Sequence, residues 1–210
     1  MTDQDEPRRW RAAVSRMLSD KRSRGKYNPV MSPDKVLDFW FRESTPGQWF
    51  AKDEAFDARI REHFLDIYEA ALRGETEAWR ATPRGRLAEI ILVDQFPRNM
   101  FRGTSRAFEG DALAQRLAQE AVAARAQRGL SSLERQFLYM PYMHSESKEL
   151  HRKAVRLFAS LLPWRWTALF FEFAHKRVID RFGRYPHRNA ILGRESTDAE
   201  KAFLEGHKGW

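Results

Sequence analysis

The chain contains no cysteine. That absence excludes a disulfide framework, a thiol nucleophile and a thiolate metal site, and it fits a reducing compartment. No secretory leader is visible: residues 1–30 are charged throughout and lack an apolar run before a small-residue cleavage site. No run is long enough to cross a bilayer. The most apolar region, Leu161 to Ala174, is broken by Pro163, Arg165 and Glu172 and falls far short of the ~20 residues a span needs. A cytoplasmic protein without membrane contact is the expectation. Strand alternation is missing as well. So are a Gly-Lys-Ser/Thr phosphate loop, a nucleophile elbow and a His-Glu-x-x-His zinc motif. His144 and His151 have no obvious third partner, so neither a metal nor a cofactor is expected.

What the chain does have is apolar bulk. Its 210 residues are 42% hydrophobic and 13% aromatic, with 15 Phe and 7 Trp. Each aromatic side chain can bury roughly 150–250 Å², so a substantial core is affordable and disorder throughout is excluded. Trp40, Trp49, Trp79, Trp164 and Trp166 read as core or pocket wall rather than as a base-stacking platform. The formal net charge is +8. Residues 1–30 carry eight Lys/Arg against four acids. They read as a basic tail, with Trp10, Val14, Met17 and Leu18 hinting at one amphipathic helix. The body, residues 31–210, reads as a single all-α domain. Its positive excess gathers between His175 and Arg194, where six Lys/Arg face one acid, Asp180. Such a segment attracts anions or forms a solvated helix face.

Helical period and punctuation run through the body. Ser32-Pro33 opens a short helix with Val36, Leu37, Trp40 and Phe41 on one face. A long amphipathic helix from Asp53 to Arg73 carries Phe56, Ile60, Phe64, Ile67 and Ala71. Thr82-Pro83 caps a helix with Leu87, Ile90, Ile91 and Val93, up to Phe96-Pro97. Gly110-Asp111 opens an alanine-rich helix that Gly129 closes. Ser131 and Glu134 form a capping box for a helix expected to stop near Pro141. Ser145 is read as the cap of the next helix. Pro163 is read as the start of the most apolar one, which runs to Gly183. Thr197 and Glu200 box the last. The fold class is all-α, with helices in antiparallel pairs.

Two stretches echo each other: Asp94-Gln95-Phe96-Pro97-Arg98-Asn99-Met100-Phe101-Arg102, and Arg181-Phe182-Gly183-Arg184-Tyr185-Pro186-His187-Arg188-Asn189. Each follows an apolar helix with an aromatic, a proline and Arg-Asn. Arginine grips carboxylates and phosphates with paired hydrogen bonds, and histidine exchanges protons near neutrality. If the two turns meet, Arg98, Asn99, Arg102, Arg184, Arg188 and Asn189 form a cationic site. Asp94, at a helix end that disfavours negative charge, needs a cation and would either orient an arginine or staple two helices. His144, Glu146, His175 and His187 would line the site. His144, Glu146 and His187 are the proton-transfer candidates. The plainer readings are also open: C-capping for Arg181 and Arg184, a hydrogen-bonded core residue for His175, and helix capping around His144-Ser145-Glu146.

On these residues the chain resembles a widespread, mainly bacterial family known as domain of unknown function 924. The marks are Phe39-Trp40-Phe41, Trp49-Phe50, Asp94 to Asn99, Tyr139-Met140-Pro141 with His144-Ser145-Glu146, and Arg181 to Asn189 with Leu192-Gly193-Arg194. The likeness runs from about Val36 to Leu204. It implies a tetratricopeptide-like helical fold and no particular activity. No 34-residue repeat is present. Binding of a small anionic ligand is the leading functional expectation. A helical scaffold for a protein partner comes second, and salt-dependent nucleic-acid binding comes last.

Overall fold

The computed structural model describes residues 31–206, so the basic tail expected at 1–30 lies outside the described residues. All regular structure among the described residues is helical. Helix α1 (Pro33–Asp38) starts with proline in its first turn and widens into a π turn at Phe39–Glu43. The Ser44 hydroxyl, donating to Phe39 O at 2.7 Å, closes that turn. Helix α2 (Pro46–Phe50) follows. Helix α3 (Glu54–Leu72) is capped by Asp53, whose carboxylate accepts from Ala55 and Phe56 N–H. It buries the predicted stripe of Phe56, Ile60, Phe64, Ile67 and Ala71.

Helix α4 (Pro83–Asp94) is the hub. Thr82 Oγ1 accepts from Gly85 N–H at its start, and α4 packs against α1 and α3. It also packs against α6 (Asp111–Ala123) and α7 (Ser132–Met143). Leu87, Ile90, Ile91, Leu92 and Val93 are fully buried. Each such side chain contributes about 1.5–3 kcal/mol relative to exposure. A helix enclosed on all sides has no polar stripe, so its period is blurred. Around it lie the rings of Phe39, Trp40, Phe56, Phe64, Phe96 and Phe137, several in edge contact.

Between α4 and α6 comes the short helix α5 (Phe96–Met100). Phe96-Pro97 therefore does not end helical structure but starts a new helix, as proline in a first turn permits. Helix α6 leaves its track at Ala123, short of Gly129. Arg125 turns left-handed (φ 57°), and a 3₁₀ turn covers Ala126–Gly129. The Ser131–Glu134 capping box opens α7. That helix runs past Pro141 to Met143, because a proline near the last turn removes one hydrogen bond without breaking the rest. Ser147, not Ser145, caps α8 (Lys148–Ala159), accepting from Leu150 N–H. Ser145 instead takes Ser147 N–H on its hydroxyl.

Helix α9 (Trp166–Phe182) begins three residues after Pro163, because Arg165 still has non-helical torsions. It packs on α8 and α7 and ends at Gly183, whose φ of 72° suits glycine. Its most apolar side chains do not all face inward. The inward face carries Ala168, Glu172, His175, Val178 and Ile179. Phe170 and Phe173 point out, 64% and 51% exposed. Trp164 and Trp166 are 78% and 65% exposed, which corrects their reading as core or pocket wall. A 3₁₀ turn at Pro186–Arg188 leads to α10 (Asp198–Gly206), boxed by Thr197 and Glu200. Val178, Ile179 and Tyr185, with Phe182 and Phe203, make a small second core.

Candidate functional site

Buried polar groups converge where the second core meets the first. Helix α4 delivers Asp94, fully buried, at its last position. Directly across, Gly110 lets the start of α6 touch α4: a Cβ there would lie 2.3 Å from Val93 O. Only glycine fits that approach, which is what brings Asp111 beside the end of α4.

Two arginines meet on Asp111. Arg98 Nη2 lies 2.9 Å from one carboxylate oxygen, and Arg188 Nη1 donates to the other at 3.1 Å. The Arg98 contact is close but misaligned for a hydrogen bond, so Arg98 Nη2 and Asp111 Oδ1 are buried without a hydrogen-bond partner. Both guanidiniums also lie over the Phe108 ring, 5.8 and 4.7 Å from its centre. Arg188 is only 7% exposed and its Nε makes no hydrogen bond. Burial and neighbouring Arg98 both push its pKa down, although a guanidinium keeps its charge. Arg188 is therefore a cation held at a cost.

Asp94 lies between an imidazole and a guanidinium. Its carboxylate faces His144 Nδ1 at 2.8 and 3.0 Å and Arg98 Nη1 at 3.5 Å. Gln95 donates a further hydrogen bond to it, and Arg98 also donates to the Asp94 carbonyl. Burial pushes the Asp94 pKa up, but His144 and Arg98 outweigh it and hold the carboxyl down to about 2. Burial and Arg98 push His144 down. The pair at neutrality is thus aspartate with neutral imidazole. Since the aspartate can only accept, Nδ1 carries the proton. His144 caps α7, where its N–H bonds Met140 O.

A second cluster lies behind Tyr185. His151 and Glu172 are both fully buried, 2.7 Å apart. His151 Nε2–H donates to Ser145 O at 2.9 Å. Burial raises the Glu172 pKa, and one of its carboxyl oxygens faces His151 Nδ1. Tyr185 donates to Met143 O. His175 donates from Nδ1 to Phe171 O at 2.8 Å, and burial lowers its pKa to about 3. This is the hydrogen-bonded histidine of the plainer reading.

The remaining candidates separate from the arginine pair. Asn99 and Arg102 both bind Asp57 on α3, at 2.8 to 2.9 Å. Arg184 forms two hydrogen bonds to Glu200, and Asn189 donates to Ser196 and Glu200. Glu146 accepts from Tyr185 N–H and takes two hydrogen bonds from Arg194. His187 lies beside Tyr185, ring centres 5.5 Å apart. Sequence reasoning missed Asp111, which looked like an ordinary first-turn acid, and also missed Asp57, Tyr185 and Phe108. Among the described residues no cluster of three or more His, Asp or Glu could hold a metal ion, and no helix is long and apolar enough to cross a membrane.

The model of a family described as bacterial protein of unknown function, DUF924, matches residues 36–208. The chain belongs to that family. The matched range takes in every residue of the clusters above. A solved structure is also similar, that of the protein of unknown function ATU0120 from Agrobacterium tumefaciens. The two are 37% identical, covering 83% of this chain and 97% of that one, with a TM-score of 0.78. No curated protein matches this DUF924 member.

Proposed function

We propose that the chain binds a small anionic ligand at the Arg98–Arg188 pair. One observation carries the reading: two guanidiniums, one nearly buried with an unpartnered Nε, meet on the carboxylate of Asp111, and only Arg98 has a second carboxylate, Asp94, beside it. An entering anion relieves the repulsion between them and supplies the missing acceptor. The ligand contacts narrow from the wider set to Arg98 and Arg188, with Asp94 and His144 beside them. Asn99, Arg102, Arg184 and Asn189 serve as supports, because their donors are engaged with Asp57 and Glu200. Of the proton-transfer candidates, Glu146 has both oxygens engaged by Arg194 and Tyr185. His144 is the group whose Nε2 makes no hydrogen bond among the described residues. The test is thermal shift with inorganic phosphate and dicarboxylates. An anion-dependent rise that Arg188→Ala abolishes is expected. If neither class of anion moves the transition, the reading is wrong.

The second reading is a tetratricopeptide-like scaffold for a protein partner. The exposed Trp164, Trp166, Phe170 and Phe173 on and before α9 favour it. Replacing these by serine should abolish capture of any such partner while sparing anion binding. Nucleic-acid binding ranks last, because three of the six cations of the basic segment are taken up by the fold: Arg184, Arg188 and Arg194 each pair with one of its carboxylates.

A further inference from the structure

We infer that the Asp94–His144 pair makes this site selective for an oxyanion that carries its own proton, namely hydrogen phosphate over sulfate. The inference rests on the anion reading above and adds the identity of the ligand.

The argument is one of donors and acceptors. Asp94 Oδ1 lies 2.8 Å from His144 Nδ1 and 3.5 Å from Arg98 Nη1, so the ring and the guanidinium flank a single oxygen. An anion held by Arg98 therefore lies within reach of the imidazole. Asp94 is fully buried and fixes the proton on Nδ1. The neutral ring then offers only a lone pair at Nε2. The site is thus a set of guanidinium donors with one neutral acceptor, Nε2, beside the Asp111 carboxylate that the two arginines already engage. Sulfate near neutrality has acceptors only, and it would set lone pair against lone pair. Hydrogen phosphate brings an O–H that donates to Nε2 while its other oxygens take the arginine donors.

Sulfate gains a donor at Nε2 only if His144 first takes up a proton. The groups facing that ring oppose or assist this from every packed element. Asp94 on α4 and Asp111 on α6 assist, whereas burial and Arg98 on α5 oppose. His175 on α9 is neutral, and His151 and Glu172 on α8 and α9 face each other at 2.7 Å. Sulfate affinity should therefore rise about tenfold per pH unit on acidification, with one proton taken up per sulfate bound. Hydrogen phosphate keeps a proton through this range and needs no uptake.

The experiment is titration calorimetry of the full chain with inorganic phosphate, sulfate and methyl phosphate at pH 8 and pH 6, in buffers of different ionisation enthalpy. At pH 8 phosphate should bind at least about tenfold more tightly than sulfate. Methyl phosphate, whose proton leaves near pH ~6, should resemble sulfate at pH 8 and phosphate at pH 6. If instead methyl phosphate equals phosphate at both values, the O–H donor is irrelevant and the inference fails. Asp94→Asn presents an amide that can donate to Nδ1, moves the ring proton to Nε2, and should collapse or reverse the preference. His144→Gln, a second variant that leaves Asp94 in place, should equalise the two anions and abolish proton uptake. Equal binding of phosphate and sulfate at pH 8 without proton uptake, both lost in Arg188→Ala, would overturn this inference and leave the anion site standing. No binding of any of the three would overturn both.

Discussion

The two Arg-Asn turns look alike in sequence and divide their labour alike in space. In the first, Arg98 reaches Asp111 while Asn99 and Arg102 hold Asp57 on α3. In the second, Arg188 reaches the same Asp111 while Asn189 and Arg184 hold Glu200 at the start of α10. One arginine of each turn faces its counterpart, and the rest fasten the turn to a neighbouring helix. The lesson is that a cationic motif is not a cationic site. Most of its charge is neutralised locally, and the arginine that matters is the one whose acceptors run short.

The sharpest way to break this comparison is Asp111→Asn. It leaves two close guanidiniums without their shared carboxylate and should cost about 3–5 kcal/mol, lowering the melting temperature by roughly 10 °C. Added phosphate should recover part of the loss. A melting temperature unchanged by the substitution would show that the arginines are not strained. The fastening carboxylates should behave differently. Asp57→Asn or Glu200→Gln strands several donors and should cost about 2–3 kcal/mol each, with no recovery by anions. Anion rescue of either variant would erase the distinction between site and support.

Next in size is a pH effect from the buried histidine behind the site. Folded His175 stays neutral down to about pH 3, whereas its unfolded counterpart protonates near 6.5. The unfolded state therefore binds more protons in that window, and stability falls as pH falls. From pH 6.5 to 5 the loss is up to about 2 kcal/mol, at ~1.36 kcal/mol per unit. Glu172, whose pKa is raised, works in the opposite direction as pH approaches its own value. Denaturant unfolding across that range reads the slope, and His175→Gln should flatten it. The smallest effect belongs to the exposed aromatics. Trp164→Ser and Phe170→Ser should change stability by no more than about 0.5 kcal/mol. A larger loss in urea melts would mean that this face is not free surface.

Helix positions were legible where caps and period agreed. Thr82-Pro83, Asp53, the Ser131–Glu134 box and the Thr197–Glu200 box each open the helix expected of them. They are local devices whose hydrogen bonds close within a few residues. Legibility fails where a long-range contact decides. Ser145 yields the cap to Ser147 while donating to Gln115, thirty positions away. Helix α9 turns Glu172 and His175 inward although Phe170 and Phe173 are more apolar. Glu172 pairs with His151 across twenty-one positions, and no sequence window contains both partners of that bond. Asp94 was recognisable as a carboxylate in need of a cation. That one of its partners is His144, fifty positions on, was not.

By itself the chain's order of residues determined an all-helical body, most of its helix boundaries and the absence of thiol chemistry, because propensity, capping and composition act locally. Tertiary structure alone decided which two arginines meet, which carboxylate they share and which histidine stands beside them. Those choices depend on the approach of α6 to α4 at Gly110 and on the docking of the second core against the first, and both are contacts between segments far apart along the chain.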